Sequence, residues 1–208
     1  MLFKDRAEAG RALAAELVSL NPKHPVVLAL PRGGVPIGCE IALALAAPLD
    51  LVLLRKIGVP FQPELALGAV AEGEDPELVI DMELCTLLGI TDAVVAAMRG
   101  REIQEMQRRR HAYLAGLPQV DIAGRTAIVV DDGIATGATM QAALRAVRRR
   151  RPARLILAVP VAPPDTIAKL RPEADAIVCL AMPEHFHSVG QFYRRFPQLQ
   201  DEEVLALL

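Results

Sequence analysis

Thr126–Arg148, TAIVVDDGIATGATMQAALRAVR, decides how the rest of the chain is read. Its first five residues are apolar and rich in β-branched side chains, which predicts a strand buried on both faces. From Ala138 to Arg148, Met140, Leu144 and Val147 recur at helical spacing and predict a helix. The turn between the two carries adjacent carboxylates, Asp131 and Asp132, followed by Gly133, Thr136 and Gly137. A turn that leads from the C-terminal end of a strand into a helix is where open α/β sheets bind ligands. The first N–H groups of such a helix lack intrahelical acceptors, and the helix dipole favours an anion beside them. Thr136 and Thr139 add hydroxyl groups, and Gly137 lets the backbone approach a phosphate closely.

Two carboxylates beside a phosphate would repel it, so they must face another part of the ligand. Carboxylates only accept hydrogen bonds, and their natural partners are hydroxyl groups or a hydrated cation. A sugar phosphate offers both features, with its phosphate on the helix N-terminus and its hydroxyls on the aspartates. A solvated acidic turn that merely caps the helix is the plain alternative. The complete strand–DDGIATGAT–helix context favours the sugar phosphate.

At these residues the chain resembles the type I phosphoribosyltransferases, whose signature is four apolar residues, two acidic residues and a Thr-Gly loop; IVVDDGIATGAT fits it position by position. The resemblance implies that Asp131 and Asp132 are the catalytic pair that holds the ribose hydroxyls of phosphoribosyl pyrophosphate. It implies that Ala135, Thr136, Gly137, Ala138 and Thr139 hold the 5′-phosphate. A second strand–turn–helix unit precedes this one: an apolar strand at 25–30, the turn Pro31-Arg32-Gly33-Gly34, and a helix at 35–46. In the resembled family this turn is the pyrophosphate loop, often with a cis peptide, so Arg32, Gly33 and Gly34 become the pyrophosphate ligands and Pro31–Arg32 the bond to inspect.

A strand expected at Leu49–Leu54 ends in Arg55 and Lys56, which read either as a solvated strand end or as cations facing the pyrophosphate; Lys56 is taken as the candidate ligand. Gly58–Gly68, GVPFQPELALG, occupies the place of the mobile loop that closes over the site in the resembled family, with Glu64 its only ionisable side chain. It lacks the Ser-Tyr pair of some members. Residues 69–72 and 78–81 predict a hairpin turning at 73–76. Asp5 and Glu8 mark a capping box ahead of a first helix, and a long helix starts at Thr91. The basic runs Arg108–Arg110 and Arg148–Arg151 read as solvated helix ends that complement the dipole. Strands are expected at 155–161 and 176–180, with a short helix starting at Pro163-Pro164-Asp165. The tail 182–208 gathers His185, Phe186, His187, Phe192, Tyr193 and Phe196. The resemblance makes it a hood, with Phe186, Phe192 and Tyr193 stacking on a nucleobase; packing the tail on the core is the equal alternative. His185 and His187 without a third ligand do not make a metal site.

The 208 residues suit one domain, 1–208, with an aliphatic core, since apolar residues make up 52 % and aromatics 3 %. A formal charge of −2 argues against a nucleic-acid footprint, and three unrelated cysteines suggest neither a disulfide framework nor a zinc site. No h-region opens the chain, and the longest apolar run is broken by Pro48 and Asp50, so membrane insertion is not expected and a cytoplasmic location is. The fold expected is a twisted, mainly parallel sheet with helices on both faces and a small C-terminal hood. The function implied is transfer of the phosphoribosyl group to a nucleobase with release of pyrophosphate. Mg²⁺ is the implied cofactor, bridging substrate oxygens with no side chain marked as its direct ligand, and a homo-oligomer is compatible with the family. Ala135 stands where 6-oxopurine members carry an aspartate, which weakens hypoxanthine and guanine as substrates. A regulator that binds phosphoribosyl pyrophosphate or a nucleotide without turnover is the second reading.

Overall fold

The computed structural model describes residues 2–72, 76–114 and 119–208. The chain runs α1 (Arg6–Ser19), β1 (Pro25–Ala29), α2 (Gly34–Leu45), β2 (Leu49–Leu51), β3 (Leu54–Val59), β4 (Gln62–Ala71) and β5 (Glu77–Ile80). It continues through α3 (Met82–Leu87), α4 (Asp92–Leu114), β6 (Thr126–Val130), α5 (Ala138–Arg149) and β7 (Arg154–Val161). The last elements are α6 (Pro164–Leu170), β8 (Ala176–Ala181) and α7 (Asp201–Leu207).

Five strands form one parallel sheet in the order β2-β1-β6-β7-β8. The apolar runs of β1 and β6 explain their central place, because side chains that alternate between two faces must both meet helices. Val27, Ala29, Ile128 and Val130 pack with Leu13 of α1 and Ile37 of α2. Val26, Leu28, Ala127 and Val129 point the other way, onto Met140 and Leu144 of α5 and Ile167 of α6. The expected sheet with helices on both faces is therefore what forms. Its topology also sets the site: from β1 the chain steps outward to β2, whereas from β6 it steps the opposite way, so the ends of β1 and β6 flank a switch point.

The run expected as one strand at 49–54 splits. β2 ends at Leu51, and the chain leaves the sheet to enter β3 of a separate antiparallel sheet, β3-β4-β5. Buried side chains take the backbone donors at the break. Asp50 accepts the Leu51 N–H at 2.7 Å, and Glu72 accepts the Leu53 N–H at 3.0 Å. The expected loop at 58–68 is thus corrected to the β3–β4 hairpin. Its punctuating residues have other jobs: Pro60 lies at the turn, Gly58 at a register shift, and a Cβ on Gly68 would lie 2.1 Å from the Val79 carbonyl. The β4–β5 hairpin forms as expected, with Gly68 opposite Ile80. The tip expected within it falls at residues 73–75, outside the described residues, as does the side chain of Glu64.

Two further expectations change. Arg110 is not a solvated helix end: it reaches Glu72 at 2.8 Å and Asp50 at 3.1 Å in a nearly buried cluster. Burial drives the Glu72 carboxyl above the usual range, against the pull of Arg110. In the second basic run Arg150 is half-buried on the Val120 carbonyl, while Arg148 pairs with Asp175 at 2.8 Å. No helix among the described residues is long and apolar enough to cross a membrane.

Candidate active site

The two glycine-bearing turns meet at the switch point. The Leu30 N–H donates to the Val130 carbonyl at 3.0 Å, joining the chain just before each turn. A Cβ on Gly34 would lie 2.7 Å from that same carbonyl, and a Cβ on Gly33 2.1 Å from Asp132 Oδ2. Both glycines are therefore fixed by proximity to the acidic turn rather than by backbone angle, since Gly33 is αR with φ −62°. The Pro31–Arg32 peptide is cis. Arg32 lies between the turn and the tail, 3.7 Å from Asp201 at the start of α7, which in turn accepts the Tyr113 hydroxyl at 2.6 Å.

Asp131 Oδ1 accepts the Asp132 N–H at 2.8 Å, which orients the first carboxylate within its own turn. Burial, then the neighbouring Asp132 charge, holds the Asp131 carboxyl well above the usual carboxylate range. Burial also raises Asp132, but Arg6 opposes the rise from 2.7 Å. Tyr193 donates its hydroxyl to the Asp132 main-chain carbonyl at 2.7 Å, and burial pushes that phenol up. Beyond the acidic pair, Gly133 and Ile134 are buried and Ala135 and Thr136 are exposed. Gly137 takes φ 86°, a conformation costly for a side chain, and begins α5 with no side-chain cap. The first intrahelical bond runs from Gln141 N–H to the Gly137 carbonyl, so the N–H groups of Ala138, Thr139 and Met140 have no intrahelical acceptor. Such a terminus is suited to an anion.

A cleft of about 430 Å³ opens at this junction, lined by Arg6, Arg32, Gly33, Asp132, Phe196 and Leu199 among others. The structure thus brings Arg32, Gly33 and Gly34 against Asp131 and Asp132, with residues 135–139 next in the chain. Lys56 does not share the cleft: it is exposed on β3, opposite Ala69, and its neighbour Arg55 pairs with Glu102 at 2.7 Å. Phe192 and Tyr193 are buried, stacked respectively on Phe186 at 5.5 Å and Phe196 at 4.9 Å. They pack the tail onto the core, and Phe196 carries the aromatic ring that lines the cleft. His185 and His187 are exposed, and among the described residues no three His, Cys, Asp or Glu side chains are placed to hold a metal ion. Arg6, at the first position of α1, belongs to no motif that marks it in the sequence. Its signal was a cation at a helix N-terminus, where the dipole disfavours one.

The fold is thus an α/β one, a parallel sheet whose switch point joins a glycine turn to an acidic pair and an uncapped helix N-terminus. The chain belongs to the phosphoribosyl transferase domain family, whose model matches residues 3–196. A Mycobacterium tuberculosis protein bearing the name "Putative phosphoribosyl transferase" is 46 % identical over 207 residues, covering 100 % of this chain and 46 % of the relative. The chain thus spans about half the length of the curated relatives it matches. The crystal structure of TT1426 from Thermus thermophilus superposes with a TM-score of 0.84 at 40 % identity, covering 100 % of this chain and 97 % of that one. A hypothetical protein from Neisseria gonorrhoeae, solved with bound ppGpp, shares the fold at 14 % identity, with a TM-score of 0.53 over 100 % of this chain and 96 % of that one.

Proposed function

We propose that this chain binds phosphoribosyl pyrophosphate at the paired turns and transfers its phosphoribosyl group to a nucleobase, releasing pyrophosphate. One observation carries the reading: Gly33 of the first turn lies against the Asp132 carboxylate of the second, so one ligand can touch both. In this proposal Asp131 and Asp132 accept hydrogen bonds from the ribose hydroxyls. The uncapped start of α5, with residues 135–139, holds the 5′-phosphate. Arg32, with the backbone at Gly33 and Gly34, holds the pyrophosphate, and Lys56 enters only as a cation of the β3–β4 arm. Residues 1–208 act as one domain, to which the tail 182–208 contributes the hood; Phe186, Phe192 and Tyr193 belong to it, the last two as its anchors.

The substrate would be the magnesium complex of phosphoribosyl pyrophosphate, and the ion would supply neutralisation of charge on the leaving group. The side chains would contribute by positioning the sugar and stabilising charge as the glycosidic carbon is exchanged between pyrophosphate and base. Calorimetry with this complex, on wild type and on Asp131→Asn/Asp132→Asn, tests the ligand. Binding that requires Mg²⁺ and disappears in the double variant supports the assignment; no binding by folded wild type refutes it. A panel of nucleobases monitored for pyrophosphate release then tests turnover, and tight binding without release on any base would favour the regulatory reading.

A further inference from the structure

Arg6 is 8 % exposed, an unusual setting for a guanidinium at the first turn of a helix. Its Nε donates to Asp132 Oδ2 at 2.7 Å and its Nη1 to the Pro197 carbonyl at 2.9 Å. Its carbon Cζ lies 3.8 Å from the centroid of the Phe196 ring. Three elements therefore hold one cation: α1 supplies it, the acidic turn pairs it, and the tail covers it. Ordering so long a side chain costs rotamer entropy, and the helix dipole opposes its charge. The charge-assisted bond to a nearly buried carboxylate offsets both.

The contact engages only one oxygen of Asp132. Oδ2 is taken by Arg6, which makes no bond to Oδ1. The charged or titratable groups around this carboxylate are Arg6 from α1, Asp131 in the same turn, Arg32 across the cleft and Tyr193 from the tail. Of these, Arg6 alone makes a direct bond to the carboxylate. We propose that Arg6 is the positioning residue of the site: its bond to Oδ2 turns Asp132 so that Oδ1 is left to accept a sugar hydroxyl. The ligand half of this proposal rests on the phosphoribosyl pyrophosphate reading, whereas the Arg6–Asp132 coupling can be measured without any ligand.

The test is a carbon-13 NMR titration of the side-chain carboxylates in the unliganded protein, for wild type and Arg6→Gln. Alongside it, calorimetry with the magnesium complex of phosphoribosyl pyrophosphate is run across pH on wild type, Arg6→Gln and Arg6→Lys. In wild type, Asp132 should ionise at lower pH than Asp131. In Arg6→Gln its ionisation should move up by about 1–3 pH units, the usual effect of losing an opposite charge at this range. Binding at pH 7 should weaken by about tenfold or more and recover as the pH rises, with Arg6→Lys close to wild type. Asp131 ionising first in wild type overturns the proposal, even if Arg6→Gln does not fold. So does an unmoved Asp132 titration in Arg6→Gln, or a binding loss that is the same at every pH. Failure of wild type to bind, with the NMR shifts as expected, would instead remove the ligand assignment and leave the coupling standing.

Discussion

A Cβ built on Gly33 would collide with the carboxylate of Asp132, so alanine there must push that side chain off its bond to Arg6 or displace one turn from the other. Gly33→Ala should cost about 1–3 kcal/mol in denaturant unfolding and should abolish calorimetric binding of the magnesium–phosphoribosyl pyrophosphate complex. Asp131 makes a second prediction at this scale. Its folded-state pKa is raised above the ordinary value of 3.8, first by burial and then by the Asp132 charge. A raised carboxylate favours the protonated form in the fold, so its contribution to stability is present below the unfolded pKa and is lost as pH rises through the folded one. Asp131→Asn keeps an oxygen for the Asp132 N–H and removes the charge. It should raise the melting temperature at pH 7, and the gain should vanish as the pH falls below about 4. Equal gains at pH 4 and pH 7 would sink this account. The acidic pair and the Arg32–Gly34 turn were readable in sequence because each is a local motif. Arg6 was not, because it meets Asp132 across 126 positions, which no local pattern encodes.

Elements were legible where one period held along the whole segment. β6 falls at 126–130, where the apolar run placed it, and α5 begins at Ala138, after the glycine that its αL start requires. The 49–54 run failed for a physical reason. A mostly apolar stretch carries no clear mark of where a strand stops; here Asp50 turns its carboxylate onto the adjacent Leu51 N–H, and Glu72, distant in sequence, takes the Leu53 N–H. Arg110 joins those two carboxylates, tying α4 to the root of the arm. Arg110→Met leaves two buried acids without their directly bonded cation and should destabilise the fold by about 3–5 kcal/mol, read by chemical denaturation. The hairpin at 54–71 is not legible in the sequence because its prolines and glycines read as loop signals, while antiparallel pairing to β5 supplies the order.

Across the whole molecule, both ends of the chain close on the site. Phe3 pairs with Tyr193 in a parallel bridge, donating its N–H to the Phe192 carbonyl at 2.8 Å and accepting from the Arg194 N–H at 2.8 Å. Its ring lies 5.6 Å from that of Tyr193, whose hydroxyl holds the main chain of Asp132. Phe3→Ala should therefore cost about 3–5 kcal/mol and speed hydrogen exchange at the Arg194 amide. It should also weaken binding of the magnesium–phosphoribosyl pyrophosphate complex although Phe3 does not line the cleft; unchanged affinity in the folded variant would mean that the tail does not support the acidic turn. The sequence by itself determined the parallel α/β sheet, the two ligand-type turns and their order, because strand runs, helix periods and turn residues act over a few neighbouring positions. Only the tertiary structure decided that the two turns touch through Gly33 and Asp132, that the arm is a sheet, and that Arg6 and the tail complete the cleft. Those contacts join residues far apart in the chain, and their cost and benefit depend on burial, which exists only once the sheet has brought its ends together.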